Sequence, residues 1–223
     1  MALAHRGCLT IWALNPHLLP DGRGPLEALG FHPWEDLAEH PPFADTLATL
    51  FEREEKEREP PYGRALDLGC GSAVWGIKLA KRGWQVTGMD LVEKALERAH
   101  ERVREAGVDM RLVQGDVTAI QGTDVGSGFR LVLDTGTFHG LNPDQRAAMG
   151  REVSAIAGED ATVLLDVFAP RRRGPLPRGA SQTGVEAAFP DWEIMDIEVA
   201  DTEPDPIAKL FKFDERFYRL RRK

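Results

Sequence analysis

The stretch ALDLGCGSAVWG, residues 65–76, decides the fold. A short apolar run ends on Asp67, and two glycines, Gly69 and Gly71, follow before helix-like residues resume. Apolar residues ending in a glycine turn and a helix start mark a strand–loop–helix unit whose backbone lies close to a nucleotide. The letters then discriminate among nucleotides. A dinucleotide-binding fingerprint puts a third glycine at position 74, which here is Val74. Asp67 stands two residues before the first glycine, where its charge would repel a pyrophosphate but attract a cationic ligand.

Working outward, the same strand–helix rhythm repeats. Val74, Ile77 and Ala80 give a helical stripe after the glycine loop, and WQVTGMD (84–90) reads as a second strand. Leu96, Ala99, Val103 and Ala106 form a second stripe that Gly107 stops. MRLVQGD (110–116) and RLVLDT (130–135) read as the third and fourth strands. Asn142 caps the next helix with Pro143 in its first turn; Met149, Val153 and Ile156 face its core, and Gly158 ends it. ATVLLDVF (161–168) has the continuous apolar character of a buried parallel strand.

The ends of the chain differ. Upstream, Phe43, Leu47, Leu50 and Phe51 share one helix face, which runs into the solvated charge run EREEKERE and stops at Pro60-Pro61. Residues 1–42 read as an irregular arm and lid, leaving 43–223 as one domain. Downstream, PRRRGPLPRGASQTG (170–184) reads as a loop, followed by WEIMDIEVA (192–200), with Met195, Ile197 and Val199 on one face, and a last strand within 209–223. With no helix between them, the last two strands are expected to be antiparallel. The expectation is an α/β protein with a doubly wound, mostly parallel seven-stranded sheet, Rossmann-like, ending in an antiparallel hairpin.

Composition narrows the function. A net charge of −8 over 223 residues argues against general nucleic-acid binding, DNA included. Two cysteines, Cys8 and Cys70, give neither a disulfide framework nor metal-ligand spacing and fit a reducing cytoplasm. The apolar stretch CLTIWAL (8–14) is too short to span a membrane or to serve as a signal peptide.

Asp67, Asp90, Asp116 and Asp134 each lie at or near the carboxyl end of an expected strand, where open parallel sheets bind ligands. Singly, each has a bland alternative: Asp67 or Asp116 starting a turn, Asp90 capping a helix, Asp134 orienting a loop. In register with successive strands, they suit a ligand bearing hydroxyls, amines or positive charge.

Here a resemblance enters. LDLGCGSAVWGIKLAKRGWQVTGMD resembles the first motif and second-strand acid of the class I S-adenosylmethionine-dependent methyltransferases. The resemblance implies that Asp67, Gly69, Cys70 and Gly71 surround the methionine part of the cofactor. It gives Asp90, with Leu91, the ribose, Asp116 and the Val117 backbone the adenine edge, and Asp134 the region of the methyl group and ammonium. Ala73 departs from the third glycine carried by many members. PWEDLAEHPPF (33–43) is similar to the branch containing thiopurine and tellurite-resistance methyltransferases, which makes Trp34 a candidate closing residue; a hydrophobic staple is the alternative.

The acceptor is expected at DTGTFHGLNPDQ (134–145), with His139 as a general base or simply a loop histidine, and Phe138 as a pocket wall or core. This stretch lacks the Asp/Asn-Pro-Pro-aromatic motif of amino-methylating DNA enzymes, and no cysteine follows the fourth strand. The expected activity is methyl transfer to oxygen, sulfur or nitrogen of a small, heteroaromatic or otherwise compact molecule. The Arg171–Arg178 loop is read as a lid or as a solvated loop. Alternatives are a protein or RNA methyltransferase, a non-catalytic cofactor-binding module and, on fold analogy alone, a dehydrogenase.

Overall fold

The computed structural model describes residues 41–170, 178–199 and 215–223. The arm, Trp34, nearly all of the Arg171–Arg178 loop and the segment between the last two strands lie outside the described residues. Helix α1 spans Pro41–Lys56 and is followed by β1 (Arg64–Leu68), α2 (Val74–Lys81), β2 (Gln85–Asp90), α3 (Glu93–Ala106), β3 (Met110–Gln114) and β4 (Phe129–Asp134). After these come α4 (Pro143–Ile156), β5 (Ala157–Phe168), α5 (Gln182–Ala188), β6 (Trp192–Val199) and β7 (Glu215–Arg222).

The strands form one seven-stranded sheet in the order β3-β2-β1-β4-β5-β7-β6. Strand order reverses between β1 and β4, the switch point at which such sheets bind ligands. β7 inserts between β5 and β6 and is antiparallel to both, so the hairpin folds its second strand back inside its first.

Two cores sandwich the sheet. Phe43, Leu47, Leu50 and Phe51 of α1, Trp75 and Leu79 of α2 and Ala99 of α3 pack on one face against Ala65, Leu131, Leu133, Leu164 and Phe217. Met149 and Val153 of α4 and Val185 and Ala188 of α5 pack on the other against Leu66, Val132, Val163, Leu165 and Tyr218. The N-terminal helix face and the core side of α4 are as the periodicity predicts. Asn142 caps α4 in a reciprocal capping box with Gln145, Pro143 opens that helix, and Gly107 ends α3 in the left-handed conformation.

Five readings are corrected. In α2 the buried side chains are Trp75, Ile77 and Leu79, whereas Val74 and Ala80 are only half-buried. A helix of 8 residues, close-packed on the sheet, buries more than one stripe. Helix α4 stops at Ile156, not at Gly158, because Ala157 already pairs with Phe129 as the start of β5. The loop after β5 contains a short helix, α5, capped by Ser181. In β6 the pairing shifts register between Ile194 and Asp196, which turns Met195 outward; Met195 and Val199 are exposed and Ile194 packs on the core. The EREEKERE run is not wholly solvated, since Glu54 is fully buried, with bonds to Arg58, Thr162 and Arg219.

Candidate functional site

The loop between β1 and α2 is built on left-handed backbone. Gly69, Gly71 and Ala73 have φ of 63°, 54° and 63°. Glycine adopts this region freely, while an alanine there costs about 1 kcal/mol. The departure at Ala73 is therefore conformationally a glycine position occupied by alanine. A Cβ at Gly69 would lie 1.9 Å from Thr137 Oγ1, so this loop and the loop after β4 touch where the strand order reverses.

The backbone N–H of Gly76 donates to Asp67 Oδ2 at 2.9 Å. The carboxylate thus occupies the amino end of α2, the position in which a dinucleotide fold holds its pyrophosphate. Asp90 closes the other side of the loop: Oδ2 accepts from Gly71 N at 2.9 Å and Oδ1 from Val92 N at 2.8 Å. Asp134 Oδ1 accepts from Gly136 N and Thr137 N, both at 2.9 Å, and Oδ2 from Phe138 N at 3.1 Å.

Asp67, Asp90 and Asp134 are each at most 1% exposed, and Cys70 is buried beside Asp67 and Asp90. Burial pushes the Asp67 carboxyl up to about 8, against the Gly76 hydrogen bond, with Asp134 and Asp90 adding repulsion. Burial likewise pushes Asp134 up to about 7, and it pushes the Cys70 thiol up, which keeps it neutral and unreactive. Among the described residues, no basic side chain bonds to Asp67 or Asp134. Ser72 Oγ, 2% exposed in the same loop, has no hydrogen-bond partner. Uncompensated buried carboxylates, an orphaned hydroxyl and a close-turned glycine loop fit a polar cationic ligand; they do not fit a pyrophosphate.

The remaining expected site residues lie farther out. Asp116 is exposed, and its Oδ1 accepts from Thr118 N and Thr118 Oγ1 at 2.8 and 2.7 Å. Leu91 is 45% exposed at the mouth of β2, and the Val117 side chain is in the core. The Gly115 N–H bonds to Asp90 O at 3.0 Å, which ties the ends of β2 and β3 together. His139 is 1% exposed and stacks on Phe168, with centroids 4.3 Å apart. Phe138 is in the core, packed on Phe189.

Three contributors escaped the sequence reading. Arg146 lies on α4 and donates to Phe138 O and His139 O, both at 3.0 Å, and to Gly179 O at 2.8 Å. It pins the loop after β4 to the chain after β5, and no local pattern marks it. Asp166 and Glu215 are buried at the same edge of the sheet. The strand-end acid in VLLDVF has the same form as those that were recognised, whereas Glu215 becomes visible only once β7 is known to pair with β5.

Residues 65–158 match the family model described as methyltransferase domain. The matched stretch runs from β1 to the start of β5 and so includes the glycine loop and the strand-end acids. The magnesium protoporphyrin IX methyltransferase of Synechocystis PCC 6803, solved with bound SAM, shares the fold with TM-score 0.57 and 19% identity, over 72% of this chain and 70% of that one. Among curated relatives, 61 residues are 38% identical to the "Ribosomal RNA small subunit methyltransferase C" of Alcanivorax borkumensis, covering 27% of this chain and 19% of that protein. Over 91 residues the chain is 36% identical to the "Ubiquinone biosynthesis O-methyltransferase" of Sinorhizobium medicae, covering 40% of this chain and 36% of that protein. The chain therefore spans well under half the length of these relatives. A TehB-like methyltransferase from Corynebacterium glutamicum shares the fold with TM-score 0.59 and 20% identity, over 89% of this chain and 92% of that one. Among the described residues, no helix is long and apolar enough to cross a membrane.

The raised carboxyls at the strand ends set a pH dependence. An acid whose pKa is higher folded than unfolded stabilises the fold fully below its unfolded value, and that stability is lost as pH rises through the folded value. With Asp67 near 8 and Asp134 near 7, the ligand-free protein should lose stability between about pH 4 and 8. Differential scanning fluorimetry from pH 5 to 8.5 should show the melting temperature falling by about 5 °C, on the order of 1–2 kcal/mol. Asp67→Asn should flatten the decline; a wild-type melting temperature that holds or rises would refute the charge balance.

Proposed function

We propose that this chain transfers a methyl group from S-adenosylmethionine to oxygen, sulfur or nitrogen of a small, compact acceptor. The observation that carries the proposal is the placement of Asp67 at the amino end of α2, beside buried Asp90 and Asp134, with no cation among the described residues bonded to Asp67 or Asp134. Negative potential at the switch point suits a sulfonium and an ammonium. The cofactor supplies an electrophilic methyl carbon, and transfer is an in-line displacement.

The protein's part is to bind, align and remove a proton. Gly69, Cys70 and Gly71 bring backbone against the ligand. Asp90 holds that loop in place and, from the resemblance, accepts the ribose hydroxyls, with Leu91 beside it and Asp116 and Val117 at the adenine edge. Asp134 shapes the loop that leads to His139. His139 takes the proton from an acceptor O–H or S–H as the new bond forms, with Arg146 fixing the backbone on which it sits.

An acidic chain supports a small-molecule acceptor over RNA. The methyl-group relatives named above include both kinds, so the acceptor is the point to test. A screen of phenols, thiols, halides and N-heterocycles with labelled cofactor should give turnover for at least one class, and calorimetry should show S-adenosylhomocysteine binding without NADH binding. NADH binding alone would overturn the cofactor assignment, and turnover confined to RNA or protein would overturn the acceptor. His139→Ala should slow a phenol or thiol acceptor by about 10²-fold or more while S-adenosylhomocysteine affinity stays within twofold. Unchanged turnover removes His139 as the base.

A further inference from the structure

The proposed methyl transfer leaves Asp166 and Glu215 without a role. Both side chains are buried, 3% and 8% exposed, at the carboxyl edge of the sheet. Asp166 pairs across the ladder with Phe217, and Phe168 pairs with Glu215, so all four lie on the sheet face that α1 and α2 cover. This is the half of the edge away from the glycine loop. β5 lies two strands from β1 and β7 three, about 10 and 14 Å at ordinary strand spacing. A compact acceptor beside the cofactor would reach this distance.

Among the described residues, Asp166 Oδ1 is buried without a hydrogen-bond partner. Its charged neighbours are Glu215 and Asp134, both of its own sign; with burial as the larger cause, they push its carboxyl well above the usual range. Arg219, two positions along β7 from Phe217, is already bonded to Glu54 and Glu57. A buried acid with an unpartnered oxygen beside two other acids costs stability, because it must hold either an opposed charge or a proton. Aromatic rings share its face of the sheet: its ladder partner Phe217 packs on Phe43 at 5.0 Å, and Phe168, two positions along β5, stacks on His139. Acids bonded to no cation among the described residues, with aromatic rings on the same sheet face, are the two elements that recognise an organic cation.

We propose that Asp166 and Glu215 bind a positively charged nitrogen of the methyl acceptor, a protonated amine or cationic N-heterocycle, and so select acceptors of that class. The inference rests on the proposed methyl transfer and deepens it. The substrate's charge supplies what the fold leaves uncompensated, and its reacting atom is then held on the His139 side.

The test is calorimetry of benzylammonium, benzyltrimethylammonium and neutral benzyl alcohol on the full chain saturated with S-adenosylhomocysteine. Wild type should bind at least one ammonium probe tenfold or more tightly than the alcohol. Asp166→Asn should reduce ammonium binding at least tenfold, keep S-adenosylhomocysteine affinity within twofold, and melt at or above the wild-type temperature because a repulsion is removed. Glu215→Gln should act in the same direction and serves where Asp166→Asn does not fold. Ammonium probes that bind no better than the alcohol overturn the proposal, as does an Asp166→Asn that melts lower with ammonium binding intact. Failure of wild type to bind S-adenosylhomocysteine at all would instead sink the methyl transfer on which it rests.

Discussion

Asp90→Ala should weaken S-adenosylhomocysteine binding by about 100-fold while leaving the protein folded. Asp90 is 1% exposed, and each of its oxygens is committed: Oδ2 accepts Gly71 N and Oδ1 accepts Val92 N. Truncation deletes two charge-assisted bonds and leaves two buried amides unsatisfied, roughly 1–3 kcal/mol for each such group. The loss falls on a loop whose residues Gly69, Gly71 and Ala73 are all left-handed. Removing the carboxylate that ties Gly71 to β2 therefore lets the loop relax away from its binding geometry. A further loss comes from the proposed ribose contact, and about 2.7 kcal/mol in total corresponds to 100-fold. Asp90→Asn keeps one acceptor but turns an N–H toward one of the amides, so it should fall between wild type and alanine. Isothermal titration calorimetry, with circular dichroism as the folding control, decides the matter; affinity within threefold of wild type for Asp90→Ala would remove Asp90 from the site.

The parts of this structure that were legible in the sequence have local causes. ALDLG and WQVTGMD are short apolar runs bounded by turn residues, and each became a strand ending in a buried acid. Asn142-Pro143 and Gly107 carry their capping chemistry within a few residues and behaved accordingly. What could not be read depends on partners far along the chain. The register shift that exposes Met195 is set by pairing of β6 with β7, not by the apolar pattern of WEIMDIEV. Likewise β5 begins at Ala157 because Phe129 offers a ladder partner there, which overrides Gly158 as a helix stop. The glycine loop and strand-end acids were readable because each lies at the end of its own strand, within one short stretch of sequence. Asp166, Glu215 and Arg146 were missed because their significance arises only when β5, β7 and α4 meet.

Glu54 shows the same dependence most sharply, since a residue in a charge-rich run is the pivot of the buried contact between α1 and the sheet. Its carboxylate is fully buried; Oε1 accepts from Arg219 Nε at 2.6 Å, and Oε2 accepts from Arg58 Nη1 at 2.5 Å and Thr162 Oγ1 at 2.7 Å. Burial alone would raise its pKa, but the bonds from Thr162 and Arg219 outweigh it and hold the carboxyl below its usual value. Glu54→Ala leaves the Arg58 and Arg219 guanidinium groups, whose side chains are 3% and 11% exposed, without this partner. Breaking a buried pair in this way costs about 3–5 kcal/mol, a large share of the roughly 5–15 kcal/mol that stabilises a domain. Glu54→Gln retains volume and an acceptor and should cost less. The sign of the pH dependence is opposite to that of Asp67. A carboxyl with a depressed folded pKa stabilises above its unfolded value and ceases to do so as pH falls through the folded one. Urea unfolding at pH 7 should therefore show the full deficit of Glu54→Ala, and the gap to wild type should narrow below about pH 4.5 as Glu54 protonates. A deficit under 1 kcal/mol at pH 7 would mean that α1 is held by Phe43, Leu47, Leu50 and Phe51 alone. Because Phe43 of this helix packs on Phe217, the ladder partner of Asp166, loosening α1 should also disturb acceptor binding before cofactor binding.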